Sequence, residues 1–363
     1  WSGAVDGNLA TAANWTGGVP TATDVVVIPN GVTNYPSTGT VTFDELFVEH
    51  GASITSNTAS ALTGNLHYFV NIPDDKWHLV SSIATTYKPD SNWVIANKLD
   101  LSGTNDGLAT YQNATTDGTT GPWVYLQNDA TFGDRFNFSA PKGYAIKKTA
   151  PGAIIFNGTG GTYNPFQLQY DIARGAATQW NLIANSFPSY INIATFLANA
   201  QNQGALDDSF EFVYVWNAST DSYDALNTGH IYPGQAYFLN AAEGAGLKTK
   251  VDNTMKSHQT SATFYKSSTP TIRLKLTYDG NLKTTEVSYM ADKTKGLDPG
   301  FDAGLFDGVA QDYKLYTHLV EDNNGIAFTK QVLPLQDMQT TVVAVGLKAA
   351  AGTQVTFPAE AAN

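Results

Sequence analysis

A repeat constrains this chain more than any other feature of its sequence. Trp77-His-Leu79-Val80-Ser81-Ser82 is echoed by Trp180-Asn-Leu182-Ile183-Ala184-Asn185. Pro141-Lys-Gly143-Tyr144-Ala145-Ile146-Lys147 is echoed by Pro233-Gly-Gln-Ala236-Tyr237-Phe238-Leu239. Between the members of each pair stands an aromatic run, Trp123-Val-Tyr-Leu126 in the first and Phe212-Val-Tyr-Val-Trp216 in the second. Three landmarks keep their order while the loops change length, which is the pattern of one module used twice. The runs alternate apolar and polar residues, so each reads as a strand with one face turned inward. We therefore expect an all-β chain of tandem β-sandwich domains, jelly-roll or immunoglobulin-like.

The flanks read differently. Residues 1–72 hold short extended pieces between turns, including Asp24–Ile28, Leu46–Val48 and Ala52–Ile54, which suit a strand-rich, solenoid-like segment. The modules are expected over 73–160 and 161–262. Ile193, Phe196, Leu197 and Ala200 recur at helical spacing and predict one short helix over Tyr190–Gln203. Met255–Ser261 is poor in apolar residues and reads as a linker. Residues 263–363 then supply about six strands, beginning with Thr271–Tyr278 and the Asp279-Gly280 turn and ending at Gln354–Phe357, as in an immunoglobulin-like sandwich.

Composition narrows the function classes. The net charge is −12 and the only arginines are Arg135, Arg174 and Arg273, so the clustered cations that nucleic acid or an anionic membrane surface requires are missing. No apolar run approaches the ~20 residues of a membrane span. Charged residues make up 14% and cysteine is absent, a polar, uncharged surface without a disulfide framework, as in an exported bacterial protein. The first residue is Trp1 rather than Met, from which we expect a removed N-terminal segment.

Several stretches carry a family resemblance. Asn14-Trp15-x-Gly-Gly-x-Pro20 followed by Asp24-Val-Val-Val-Ile-Pro29 resembles the opening of large surface proteins of Bacteroidetes. Trp180–Ser189 resembles their Trp-Asn-Leu-Ile-Gly-Asn-Pro-(Tyr/Phe)-Pro-Ser segment, with Ala184 and Ser186 in place of Gly and Pro. Pro233–Phe238 and Gly296–Ala303 resemble their Pro-Gly-Gln-Gly-Phe-Phe strand and their Gly-Phe-Asp-x-x-(Tyr/Phe)-Asp-Ala turn. The resemblance implies cargo of the type IX secretion system, exported and displayed at the cell surface or released. Members of that layout normally continue into a further sandwich and a C-terminal sorting domain, and the sorting domain is not among these residues.

Catalytic signatures do not emerge. The six histidines never form His-Glu-x-x-His, and neither a Gly-x-Ser-x-Gly elbow nor a phosphate-cradling Gly-Lys loop is present. A pair of glycosidase carboxylates ~5–9 Å apart would be invisible in sequence when drawn from different strands. The expectation is a non-enzymatic extracellular protein, an adhesin or structural filament component, whose partners are other copies of itself or cell-surface proteins. The alternative is a carbohydrate-binding module of a larger polysaccharide-acting protein.

Candidate ligand residues follow from that alternative. Trp93 beside Asn92, and Tyr111, are candidates for rings that stack on sugar, while Trp77, Trp123, Trp180 and Trp216 lie in strand patterns and read as core. No cofactor is required by any motif. Calcium is the candidate ion, with Asp298 and Asp302 supplying hard oxygen ligands near glycines. The competing reading of these acids is Asx-turns with their own backbone.

Overall fold

The structure, a computed structural model, describes residues 1–55, 62–82, 89–114, 122–127, 138, 140–163, 167–218, 222–259, 270–278, 281–356 and 358–362. The chain is all-β in several sheets, with three short α-helices among the described residues.

The N-terminal strands β1 (Val25–Ile28), β2 (Val41–Val48) and β3 (Leu62–Ile72) lie side by side in sequence order and parallel. Each connection climbs by one strand, as in a small coil. The entry is organised by Asn14, which is fully buried and whose Oδ1 accepts from the amides of Val5 (3.0 Å) and Asp6 (3.2 Å). Beside it, Trp15 packs edge-on against Trp1 at 4.8 Å.

The first module follows with β4 (Trp77–Val80), helix α1 (Ser91–Ala96), β5 (Leu101–Ser102), β6 (Asn105–Tyr111), β7 (Trp123–Gln127) and β8 (Tyr144–Lys147). Its sheet runs β4-β8-β6, with β5 and β7 both on β6. Strand β9 (Gly152–Tyr163) then returns to pair antiparallel with β3. Residues from both the 1–72 and 73–160 segments therefore share one sheet and one buried cluster, which runs from Trp1 to Phe156.

The second module contributes β10 (Gln167–Asp171), β11 (Trp180–Ala184), β12 (Tyr190–Asn192), helices α2 (Ile193–Leu197) and α3 (Ala200–Gln203), β13 (Val213–Asn217), β14 (Ser222–Leu226), β15 (His230–Ile231), β16 (Ala236–Asn240), β17 (Lys248–Asp252) and β18 (Lys256–Ser257). Its main sheet runs β11-β16-β13-β14. The single helix expected over Tyr190–Gln203 is a strand and two helices instead. Asn192 and Asn199 each cap a new helix, accepting from the amides of Thr195 (2.9 Å) and Gln201 (3.1 Å), and so divide the apolar pattern. The expected linker is also pinned. Met255 is 1% exposed, β18 pairs with β12, and His258 bonds to Ser53 and Thr55 of the N-terminal segment.

The two modules repeat in register as well as in sequence. Trp77 opposes Lys147 and Val80 opposes Tyr144; Trp180 opposes Asn240 and Ile183 opposes Tyr237. The aromatic runs are not the third equivalence. On β8 and β16 the matching neighbours are β6 and β13, because Ala109 opposes Ala145 as Tyr214 opposes Phe238. The Trp123 strand β7 corresponds to β14: Tyr111 opposes Trp123 as Trp216 opposes Tyr223. Aromatic content misaligned the middle landmark because the counterpart of Phe212–Trp216 in the first module is the small-residue strand Asn105–Tyr111.

Contacts between the modules are reciprocal. Val80 bridges Gln235, and Ile183 bridges Lys142. Ser81 N–H donates to Gly234 O at 2.8 Å, and Ala184 N–H donates to Pro141 O at 2.8 Å. Each residue of one pair is the register counterpart of a residue in the other, which is the signature of a two-fold, isologous contact. Leu79, Ala109 and Ala145 of the first sheet face Leu182, Tyr214 and Phe238 of the second in one buried cluster. The opposite faces of the two sheets cover separate cores. Strand β16 is consequently buried along its whole length rather than on one face.

The remaining strands are β19 (Thr271–Tyr278), β20 (Asn281–Met290), β21 (Ala303–Gly304), β22 (Lys314–Thr317), β23 (Phe328–Pro334), β24 (Val345–Lys348) and β25 (Ala359–Ala362). They form one hydrogen-bonded sheet of order β24-β22-β23-β20-β19-β25 with β21 on β23. The Asp279-Gly280 turn lies outside the described residues. Of the strand expected at Gln354–Phe357, residues 354–356 are not extended in a sheet and Phe357 lies outside the described residues; the last strand, β25, closes on β19.

Candidate functional site

The faces that the two modules turn toward each other are equivalent in backbone and unequal in side chains. In the second module Trp180 is 1% exposed. Phe306, from the C-terminal sheet region, lies over it with ring centres 4.5 Å apart and also meets Tyr223 at 3.8 Å and Phe238 at 4.9 Å. The Trp180 indole N–H donates to Asp307 Oδ1 at 2.7 Å, and Tyr111 Oη donates to Gly308 O at 2.7 Å. Position 308 must be glycine, since a Cβ there would lie 2.7 Å from the Phe306 ring and 2.8 Å from Trp180.

The first module holds a cleft at the corresponding place. Its walls are Trp77, Trp123 and Tyr125, joined by Trp216 and Tyr223 from the second module, and its volume is about 340 Å3. Ala109 and Ala145 lie on its floor, where the second module has Tyr214 and Phe238. Two ring-sized side chains are therefore replaced by methyl groups, and among the described residues no counterpart of Phe306 fills the space. The methyl groups leave room on the floor, while Tyr125, standing where the second module has Ala225, supplies a wall. Trp77 and Tyr125 meet edge-on at 5.9 Å. The Trp216 N–H donates to Trp77 O at 2.8 Å, which locks one wall to the other.

Polar groups stand at the rim. Lys283, Gln311 and Asp312 reach the cleft from the C-terminal segment, and the Lys283 ammonium lies 5.5 Å from the Tyr313 ring centre. Burial pushes the Tyr223 phenol far above its ordinary value, so it remains a neutral wall. An apolar, ring-walled concavity with a few polar groups at its edge is the usual form of a small-molecule site.

The residues expected to bind sugar are elsewhere. Trp93 is 5% exposed, packed against Phe138 at 5.3 Å, with its N–H donating to Ile155 O at 3.2 Å. Its ring offers no open face, which corrects the expectation of a stacking platform there. Asn92 is exposed on the same helix, with Trp93 turned away into the core. Tyr111 is buried in a different cluster and spends its hydroxyl on Gly308, so these candidates are not brought together. Conversely, Trp77, Trp123 and Trp216 are half-buried and line the cleft, whereas only Trp180 of the four strand tryptophans is fully core. The alanines opposite were the legible signal: small residues at 109 and 145 stand where the repeat has rings.

Asp298 and Asp302 are adjacent but engaged. Asp302 is 1% exposed; its Oδ1 accepts from Val332 N–H and its Oδ2 from Asp298 N–H, both at 2.7 Å. Asp298 Oδ2 accepts from Thr294 N–H at 2.8 Å. The carboxylates are thus spent on main-chain amides, four residues back in each case and across to Val332, rather than in Asx-turns with the residues that follow them. Among the described residues no group of three or more His, Cys, Asp or Glu side chains is placed to hold a metal ion.

Set against known proteins, the chain matches no family model, no curated protein and no solved structure. The reading of the site therefore rests on its geometry. Among the described residues no helix is long and apolar enough to cross a membrane.

Proposed function

We propose that this chain is a non-enzymatic protein of the cell exterior, an adhesin-type surface component exported by a type IX-like route, and that its aromatic cleft holds extracellular carbohydrate. One observation carries the reading: the first module has an open, ring-walled cleft where the second module is covered by Phe306 of the C-terminal segment. A pyranose has flat apolar faces that pack on indole, and hydroxyls that meet groups such as Lys283, Gln311 and Asp312. The resemblance to Bacteroidetes surface proteins supports the location.

A glycan array with the wild-type chain and Trp77→Ala tests this. The wild type binds a defined set of glycans, and the variant, folded by near-ultraviolet circular dichroism, loses more than about tenfold in affinity. No bound glycan, or binding indifferent to Trp77, sinks the reading. Release of reducing ends from a bound polysaccharide would instead make the protein a hydrolase.

The structural-component reading has its own support. Strand β24 lies at the edge of its sheet, and Val342, Val345 and Leu347 near it are 87%, 47% and 38% exposed. An open apolar edge suits pairing with a second copy. Light scattering over a concentration series tests it: a molecular mass that stays monomeric at every concentration counts against self-assembly.

A further inference from the structure

We propose that the aromatic cleft is the middle of a longer groove, which takes an unbranched glycan chain running through it rather than a single terminal sugar. This rests on the carbohydrate reading above and deepens it.

Two polar cavities adjoin the cleft. On one side, a cavity of about 350 Å3 shares Trp77 and Tyr125 with it and adds Asp100, Asn105, Asp106 and Lys147. On the other, a cavity of about 250 Å3 shares Tyr223, Lys283 and Gln311 and adds Asp224, Glu286 and Lys314. The order is polar, aromatic, polar. Pockets for drug-sized ligands run to roughly 300–1,000 Å3; the cleft and the first cavity reach the lower end of that range and the second adds a smaller space, which together suit several sugar rings in line. The aromatic middle stacks on a ring face, and the ends meet hydroxyls.

Asp106 marks the first end as a site that wants hydrogen-bond donors. It is 2% exposed, and neither carboxylate oxygen has a partner among the described residues. A buried carboxylate without donors is costly, and native structures rarely keep one. Burial alone raises its pKa. A rotation of the side chain that turns the shielded carboxylate into the cavity would let sugar hydroxyls supply the missing donors. A cation is the poorer match, because the Lys147 ammonium lines the same cavity and is held by Asp100 at 2.6 Å. That ammonium in turn holds the Asp100 carboxyl below its ordinary range.

Calorimetric titration of the whole chain with β-1,4-linked oligomers of glucose, N-acetylglucosamine and xylose, from mono- to hexasaccharide, tests the groove. Affinity is expected to rise about tenfold or more with length before levelling. Asp106→Asn and Lys314→Gln, each checked by thermal unfolding, weaken the long oligomers about tenfold and the monosaccharide little, while Trp77→Ala weakens all lengths. Equal affinity for mono- and hexasaccharide, lost only in Trp77→Ala, overturns the groove and leaves the cleft reading intact. Silence across every oligomer and on the glycan array overturns both. Heat on titration with calcium chloride alone, abolished by Asp106→Asn, makes the cavity a cation site and overturns the proposal.

Discussion

Phe306 covers Trp180 at a ring-centre distance of 4.5 Å, and Trp77, the register counterpart of Trp180, walls an open cleft. The same backbone arrangement is thus completed once from within the chain and once left for a guest. The C-terminal segment does both, since it inserts Phe306 at one end and lends Lys283 and Asp312 to the other.

Removing the internal ring should expose the equivalence. Phe306→Ala is expected to cost about 3–5 kcal/mol, because the ring is itself buried and touches Trp180, Tyr223 and Phe238. Urea unfolding measures the loss, and a red shift of tryptophan emission reports solvent reaching Trp180.

Filling the cleft should do the reverse. Ala145→Phe restores the residue type found at Phe238 and occupies the floor. We expect glycan affinity to fall more than about tenfold while stability changes by less than about 1 kcal/mol, since the ring enters existing space. Unfolding and binding measured on one preparation separate the two effects.

Asp302 should matter for folding rather than for metal. Asp302→Ala leaves the amides of Val332 and Asp298 without acceptors and is expected to cost about 3 kcal/mol or more. Millimolar calcium should leave the unfolding temperature of the wild type unchanged, because both Asp302 oxygens already accept from the main chain. A calcium-dependent rise would show that the turn opens to bind the ion.

Two buried groups should oppose each other across mildly acidic pH. His258, between Ser53 Oγ at 2.8 Å and Thr55 Oγ1 at 2.9 Å and stacked on Tyr35, has its pKa lowered by burial from 6.5 to about 4. The unfolded chain binds that proton first, so this contribution is lost as pH falls through 6.5 toward 4. For Asp302, burial raises the pKa from 3.8 to about 6, so its contribution is present at low pH and lost as pH rises through that window. Each amounts to roughly 3 kcal/mol. The wild type should therefore show a shallow profile over this range. Asp302→Asn should become steadily less stable on acidification, and His258→Gln more stable. Parallel profiles in all three proteins would refute the assignment.

Much of the architecture was legible locally. The Trp77 and Trp180 strands, their partners at Tyr144 and Tyr237, and the long hairpin from Thr271 announce themselves through apolar alternation and the repeat. The middle strand was mismatched because Asn105–Tyr111 carries little side-chain bulk, and register depends on hydrogen bonding that composition does not encode. The candidate site was missed for a related reason. A tryptophan in a strand pattern looks the same whether its ring meets another ring or a methyl group.

The sequence by itself determined the strand-forming segments, their duplication and the absence of a basic surface, all of which follow from residue type and near-neighbour spacing. Only the tertiary structure decided which rings are core and which are wall. That choice depends on what lies opposite: Tyr214, Phe238 and the inserted Phe306 against the second module's tryptophan, Ala109 and Ala145 against the first's. The decisive contact joins Trp180 to Asp307, 127 residues along the chain, and burial at such a site is a property of packing between segments that no local pattern records.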